Sequence, residues 1–187
     1  MPRPRAPTTI VNANDVLDLD VIALENWTLI TLLGALAENL NCLQWCARRR
    51  LIKNSVACEQ CNNAASFTTC ERIQDKFRWK CSRCSWARSV RHGSFFSGSN
   101  IVIVKLVQLM YLWSTDFPLH ATTSEIGISE RVAIDWFNFC RDLCVDWCRD
   151  NSEPIGGMNE NDEQKVVEID ESCFFRRKNH AGRLGPH

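Results

Sequence analysis

Four of the eleven cysteines in this 187-residue chain stand in two identical pairs, Cys58-x2-Cys61 and Cys81-x2-Cys84, with nineteen residues between the pairs. That is the spacing of a four-thiolate zinc site, in which the two residues between ligands form a knuckle that turns both sulfurs toward one ion. Zinc in such a shell is tetrahedral and closed. No position remains for water, so the metal holds a fold and does no chemistry. Lys80 and Arg83 add positive charge that helps keep the thiolates ionised. Cys70 lies between the pairs and is the rival ligand, but it has no C-x2-C mate and reads as a strand residue. A disulfide framework needs an oxidising compartment, and the chain opens without an export signal: Arg3 and Arg5 are followed by Asn12, Asn14, Asp15, Asp18 and Asp20 where an apolar region should be. The longest apolar run, Ile101 to Trp113, is interrupted by Lys105 and Gln108 and is too short to span a bilayer. The expectation is a soluble, intracellular protein with no membrane partner, nuclear if the source is eukaryotic.

Around the cysteine pairs stand Arg72, Lys76, Arg78, Lys80, Arg83, Arg88 and Arg91, interleaved with Phe67, Phe77, Trp79 and Trp86. The formal net charge of zero conceals a strong asymmetry. Residues 48–91 hold eleven Lys/Arg against Glu59, Glu71 and Asp75, whereas residues 135–172 hold eleven acids against Arg141, Arg149 and Lys165. Cations with interleaved aromatics on a small zinc module suit contact with the phosphates of double-stranded DNA. The plainer alternative is a solvated cationic surface or a protein-docking knob.

Elements must position these groups. Leu29, Leu32, Leu33, Leu36, Leu40, Leu43 and Ala47 recur at three- and four-residue steps, which predicts one amphipathic helix from Leu29 to Leu51 with Arg48 to Arg50 in its last turn. Cys42 and Cys46, one turn apart, read as small apolar filler. Lys76-Phe77-Arg78-Trp79-Lys80 alternates as a strand. Three helices are predicted beyond it, at Ile101 to Trp113, about Leu119 to Ile126, and Glu130 to about Arg149. Between the last two, Gly127 can end one helix with a left-handed cap and Ser129 can N-cap the next, the arrangement of a helix-turn-helix. If the second of those helices enters a groove, Glu130, Arg131 and Asp135 are its reading residues. Its excess of Glu130, Asp135, Asp142 and Asp146 over Arg131 and Arg141 keeps a packing or dimerisation unit in view. Cys140, Cys144 and Cys148 form an i, i+4, i+8 stripe that reads as core-facing.

A polar linker at 151–165 leads to Val166-Val167-Glu168-Ile169-Asp170-Glu171-Ser172, a short strand pattern ending in carboxylates. The order of these features, from Asn39-Leu40 through both cysteine pairs, Arg91-His92-Gly93-Ser94-Phe95-Phe96, Tyr111-Leu112-Trp113, Gly127-Ile128-Ser129 with Asp135-Trp136, Ile155-Gly156-Gly157 and the carboxylate strand with its Arg176-Arg177-Lys178, His180 and Gly182-Arg183 tail, resembles the N-terminal part of DDE transposases of the Merlin group and their bacterial insertion-sequence relatives. The resemblance covers roughly residues 36–183. It implies a zinc ribbon and helix-turn-helix that bind transposon-end DNA, a ribonuclease-H-like domain that begins near residue 166, Asp170 as the first catalytic acid, Mg²⁺ at that acid, and a homo-oligomer or a full-length transposase as partner. It also implies that Cys58, Cys61, Cys81 and Cys84 are the zinc ligands.

The expected fold is therefore α+β, mainly α: a flexible lead over about the first ten residues, with Pro2, Pro4 and Pro7, and N-terminal helices at 1–54, the ribbon at 55–93, the helix-turn-helix at 94–150, the linker at 151–165 and the start of the ribonuclease-H-like domain at 166–187. Two alternatives to a DNA-binding protein are an interaction or dimerisation module and a catalytic fragment that takes its remaining acids from elsewhere. Two-metal phosphoryl transfer needs several carboxylates converging on ions about 4 Å apart, and no Asp or Glu follows Glu171. These residues alone are expected neither to nick nor to join DNA; metal-dependent cleavage of a transposon-end duplex that Asp170→Ala abolishes would overturn this.

Overall fold

The computed structural model describes residues 6–152 together with Gly156, Gly157 and Glu168. The chain forms two compact units, Met1–Leu143 and Cys144–His187. Among the described residues the order is α1 (Leu19–Ala23), α2 (Leu29–Ala35), α3 (Asn39–Arg48), β1 (Ser66–Thr69), β2 (Phe77–Lys80), β3 (Ala87–Ser89), α4 (Ile103–Ser114), α5 (Leu119–Ile126) and α6 (Glu130–Asn151), with a 3-10 turn at Ala13–Asp15. The α+β character of the sequence reading is present. None of the described helices is long and apolar enough to cross a membrane.

The single helix expected from Leu29 to Leu51 is two. A capping box between Thr28 and Thr31 starts α2. Gly34 weakens its last turn, Leu36 closes it, and an extended Glu38 starts α3. The break leaves Leu32 and Leu36 of the first piece and Cys42, Leu43, Cys46 and Ala47 of the second all buried in one core. Cys42 and Cys46 are the filler their spacing suggested. The hydrogen bond that the Cys46 thiol donates to Cys42, together with burial, pushes that thiol well above its ordinary pKa, so it stays protonated. Helices α2, α3 and α4 pack on one another, and α5 packs on α4.

The strands form an antiparallel meander in the order β1-β2-β3, with Phe67 opposite Trp79 and Trp79 opposite Arg88 on one face, and Thr68, Arg78 and Ser89 in register on the other. The first face buries Trp79 completely, with Phe67 stacked on Phe77 at 4.8 Å. Trp79, Val90 and Phe96 join Ile103, Leu106 and Leu109 of α4 in the same core, so the ribbon and the helices of the first unit share one apolar interior. The N-terminal segment, expected to be a flexible lead through its first ten residues, is fixed from Pro7 onward. The Phe67 N–H donates to the Pro7 carbonyl at 2.7 Å, and the Asn54 side chain accepts from the Ile10 and Val11 N–H groups. Cys70 lies one residue past β1, at the start of the turn to β2, with its N–H on the Lys76 carbonyl.

Gly127 adopts φ 65°, the left-handed cap expected of it. Its carbonyl accepts from Lys105 Nζ at 3.0 Å, and Ser129 Oγ accepts the Val132 N–H at the start of α6. Along α6, Ala133, Trp136, Phe137 and Cys140 are buried. The core-facing stripe expected of three cysteines stops there: Cys144 and Cys148 are exposed. Apart from Glu168, the carboxylate strand at 166–172, with Asp170 and the basic tail, lies outside the described residues.

Near the N-terminal helices, Arg49 lies over the rings of Trp27 and Trp45, 4.9 and 4.1 Å from their centroids, the two rings meeting edge-on at 5.7 Å, and forms a two-point ion pair with Glu25 at 2.7 and 2.6 Å. Hydrogen bonding from Arg49 holds the Glu25 carboxyl below its ordinary range against a smaller opposing effect of burial. A carboxyl with a lowered native pKa stabilises the fold above its unfolded pKa and loses that contribution as pH falls through the native one. Glu25→Gln is expected to lower stability by about 1–2 kcal/mol at neutral pH, with the gap to wild type constant above about pH 5 and closing below about pH 4. Denaturant melts across pH check this, and a gap independent of pH would refute it.

Candidate metal centre and its cationic surround

The two cysteine pairs meet at one end of the sheet. In the first, Asn62 turns back in the left-handed region (φ 54°) and donates its N–H to the Cys58 carbonyl at 2.8 Å, closing the knuckle. In the second, which follows β2 directly, Cys81 donates its N–H to the Trp86 carbonyl, and the Arg83 N–H points at Cys81 Sγ from 3.3 Å. Cys58 Sγ lies 3.4 Å from Cys84 Sγ, and Cys61 Sγ lies 3.5 Å from Cys81 and 3.9 Å from Cys84. All four sulfurs are within 4.8 Å of one another. Four sulfurs at about 2.3 Å from a tetrahedral ion stand roughly 3.8 Å apart, so this donor set fits a metal ion such as zinc. Cys70 is outside the cluster.

Electrostatics sets an order among the thiols. Cys61 accepts from Asn63 Nδ2 at 3.1 Å, and that hydrogen bond is the chief cause that lowers its pKa to about 6. Cys84 is lowered by the Trp86 backbone, but burial and the three neighbouring thiols outweigh this and raise it to about 12. The cluster therefore releases its first proton readily and its last with difficulty. A divalent cation at the centre supplies the charge that lets all four ionise.

Glu59, inside the first knuckle, is a residue the sequence reading did not single out. Its carboxylate accepts from Trp86 Nε1 at 3.1 Å and from Arg88 Nη2 at 3.2 Å, and its other oxygen lies 2.8 Å from His92 Nε2. It ties the knuckle to the segment that runs through β3. The only signal in the sequence is that it is the sole acid between Lys53 and Glu71.

The seven cations expected at the surface divide into two sets. Arg91 is not a surface group: it is buried, with Nε and Nη2 each 2.6 Å from an Asp75 carboxylate oxygen and Nη1 on the Ser99 carbonyl at 2.8 Å. Each nitrogen of its guanidinium makes one of these bonds, which sets Arg91 apart from the exposed cations expected to meet DNA. Lys76 pairs with Glu71 at 3.4 Å, and Arg88 pairs with Glu59 while lying over the Trp86 ring. Arg72, Lys80 and Arg83 are exposed, and Arg78 is half-buried. Among the described residues no hydrogen bond or ion pair engages their side chains. Glu130, Arg131 and Asp135 are exposed on the first turns of α6. The magnesium site implied at Asp170 lies outside the described residues.

Chelation of the bound metal is expected to unfold the segment from Cys58 to Val90 while α4 and α5 keep helical structure; amide spectra with unchanged dispersion there would refute a metal-held ribbon. Asn63→Ala, which removes the donor to Cys61 Sγ, is expected to weaken zinc binding about tenfold in a competition titration. Comparison of this chain with protein-family models, with curated proteins and with solved structures finds no match to any of them.

Proposed function

We propose that this chain is a zinc-dependent, double-stranded-DNA-binding protein of transposase descent, in which a four-cysteine ribbon presents unpaired cations to the phosphate backbone and the α5–α6 pair serves as a helix-turn-helix. The observation that carries this reading is the division of charge on the ribbon: Arg72, Arg78, Lys80 and Arg83 are without acidic partners among the described residues, beside a four-sulfur cluster that fits zinc. Unpaired cations on a rigid module gain from counterion release on binding DNA, whereas paired ones must first give up a contact. The tight Gly127 turn and the exposure of Glu130 and Arg131 at the start of α6 support the groove-facing role of that helix. The order of motifs shared with Merlin-type transposases makes transposon ends the expected DNA. Binding rather than cleavage is assigned to these residues. Glu168, Asp170 and Glu171 on one short segment do not make a two-metal site, so the magnesium-dependent chemistry of that family is not part of the proposal.

A second reading rests on α6. Phe139, Leu143, Val145 and Trp147 are about half or more exposed, with Trp147 at 67%. Exposed large apolar side chains in one helix suit a protein partner or a second copy of the chain. The two readings separate under mutation.

For the zinc-loaded chain, affinity for a duplex is expected to fall linearly on a log–log plot against salt, with a slope reporting about three or four phosphates. The triple substitution Arg78→Glu, Lys80→Glu, Arg83→Glu is expected to abolish duplex binding, and Trp147→Ala to leave it unchanged. Affinity that does not change with salt, measured by fluorescence anisotropy, would refute phosphate contact.

A further inference from the structure

We infer that the cleft beside β2 and β3 is a phosphate-binding site, and that Arg78 is the cation that anchors the phosphate. The inference rests on the DNA-binding reading and deepens it by naming which part of the ribbon meets the backbone. The cleft, of about 580 Å³, is lined on one side by Arg78, Arg88 and Ser89 and on the other by the turn from Ser97 to Asn100. The strand register explains how Arg78 comes to be there. Alternation along β2 sends Trp79 into the core and puts Arg78 on the opposite face, in register with Thr68 and Ser89.

The charges around the cleft do not cancel. Its one carboxylate, Asp75, is consumed by the two-point pair with buried Arg91, whose remaining Nη1 is held by the Ser99 carbonyl. Arg88 is shared with Glu59. Among the described residues Arg78 alone of the cleft's cations is uncompensated: its Nε is buried with no hydrogen-bond partner there, and none of its guanidinium nitrogens is in an ion pair with any of them. A guanidinium partly withdrawn from water without an acceptor is costly, and an anion in the cleft it lines offsets part of that cost by pairing with its charge. The planar fork matches two oxygens of a phosphate, and the Ser89 hydroxyl and the Asn100 amide line the same cleft as further donors. Lys80 and Arg83 line a separate, larger cleft with Ser66 and Thr68 on the β1 side of the sheet. They are exposed and positioned for long-range attraction rather than for a seated phosphate.

The experiment uses the full zinc-loaded chain, with inorganic phosphate and a DNA duplex as separate probes. Phosphate titrated into the wild type is expected to shift the amide resonances of residues 87–91 and 97–100 saturably. Arg78→Gln is expected to remove the shift, to weaken duplex binding about tenfold and to lower the salt slope by about one. Arg78→Lys, which keeps the charge and loses the fork, is expected to fall between the two. Lys80→Gln is expected to lower the slope while leaving the phosphate shifts in place. If the wild type binds duplex but Arg78→Gln, folded by its amide spectrum, has unchanged affinity and slope, the cleft is wrong and the DNA-binding reading stands. If phosphate shifts the cleft resonances but no duplex binds, the DNA-binding reading is wrong and the cleft stands as a site for free phosphate. If neither probe binds, both fall.

Discussion

Four sulfurs gathered within 4.8 Å of one another impose the constraint on which the first unit is built. Uncharged thiols at that distance gain little, and four thiolates repel strongly, so the arrangement is stable only around a cation. An ion held there would replace the large apolar interior that a three-stranded sheet of four, four and three residues cannot make for itself. One face of that sheet still contributes to a core, because Trp79 and Phe67 reach the same interior as Leu106 and Leu109 of α4. A metal held there would fix the end of the sheet at Ser66 and Lys80, and the apolar core fixes the face that carries Phe67 and Trp79. The opposite face carries Thr68, Arg78 and Ser89.

The cationic composition of the ribbon serves two purposes that sequence alone does not separate. Arg91, buried on Asp75, and Arg88, paired with Glu59 at the surface, are each matched by an acid. Arg72, Lys80 and Arg83 give the surface its field, and Arg78 combines the two positions, half-buried yet unpaired. A fully buried two-point pair such as Arg91 with Asp75 adds little to stability relative to an apolar pair, but loss of either partner is severe. Its value here is geometric, since it holds the turn at Ser99 against the end of the sheet through Nη1.

What could be read from the sequence was whatever depends on spacing between neighbours. Two C-x2-C pairs, the alternation from Lys76 to Lys80, and the Gly127 and Ser129 signals at the α5–α6 junction all encode local geometry, and the structure shows each of them. What could not be read depends on groups brought together from a distance. The break between α2 and α3 is hidden because Leu32, Leu36, Leu43 and Ala47 keep a helical rhythm across it, and only the shared core shows that two axes serve that rhythm better than one. The fate of Arg91 is decided by an acid sixteen residues upstream, and that of Arg88 by one twenty-nine residues upstream. Cys144 and Cys148 follow the same four-residue step as Cys140, but the core ends before them.

The contact between Pro7 and Phe67 has a bearing beyond local order. β1 is an edge strand of a three-stranded sheet, and an edge with free N–H groups invites a strand from another molecule to pair with it. The backbone of Pro7 occupies part of that edge, and proline has no N–H with which to continue the ladder outward. Asn54 clamps the following residues, so the cover is held at both ends. The opening segment therefore acts as a built-in guard against edge-to-edge aggregation, and it ties the solubility of the metal module to residues that lie some fifty positions before its first cysteine.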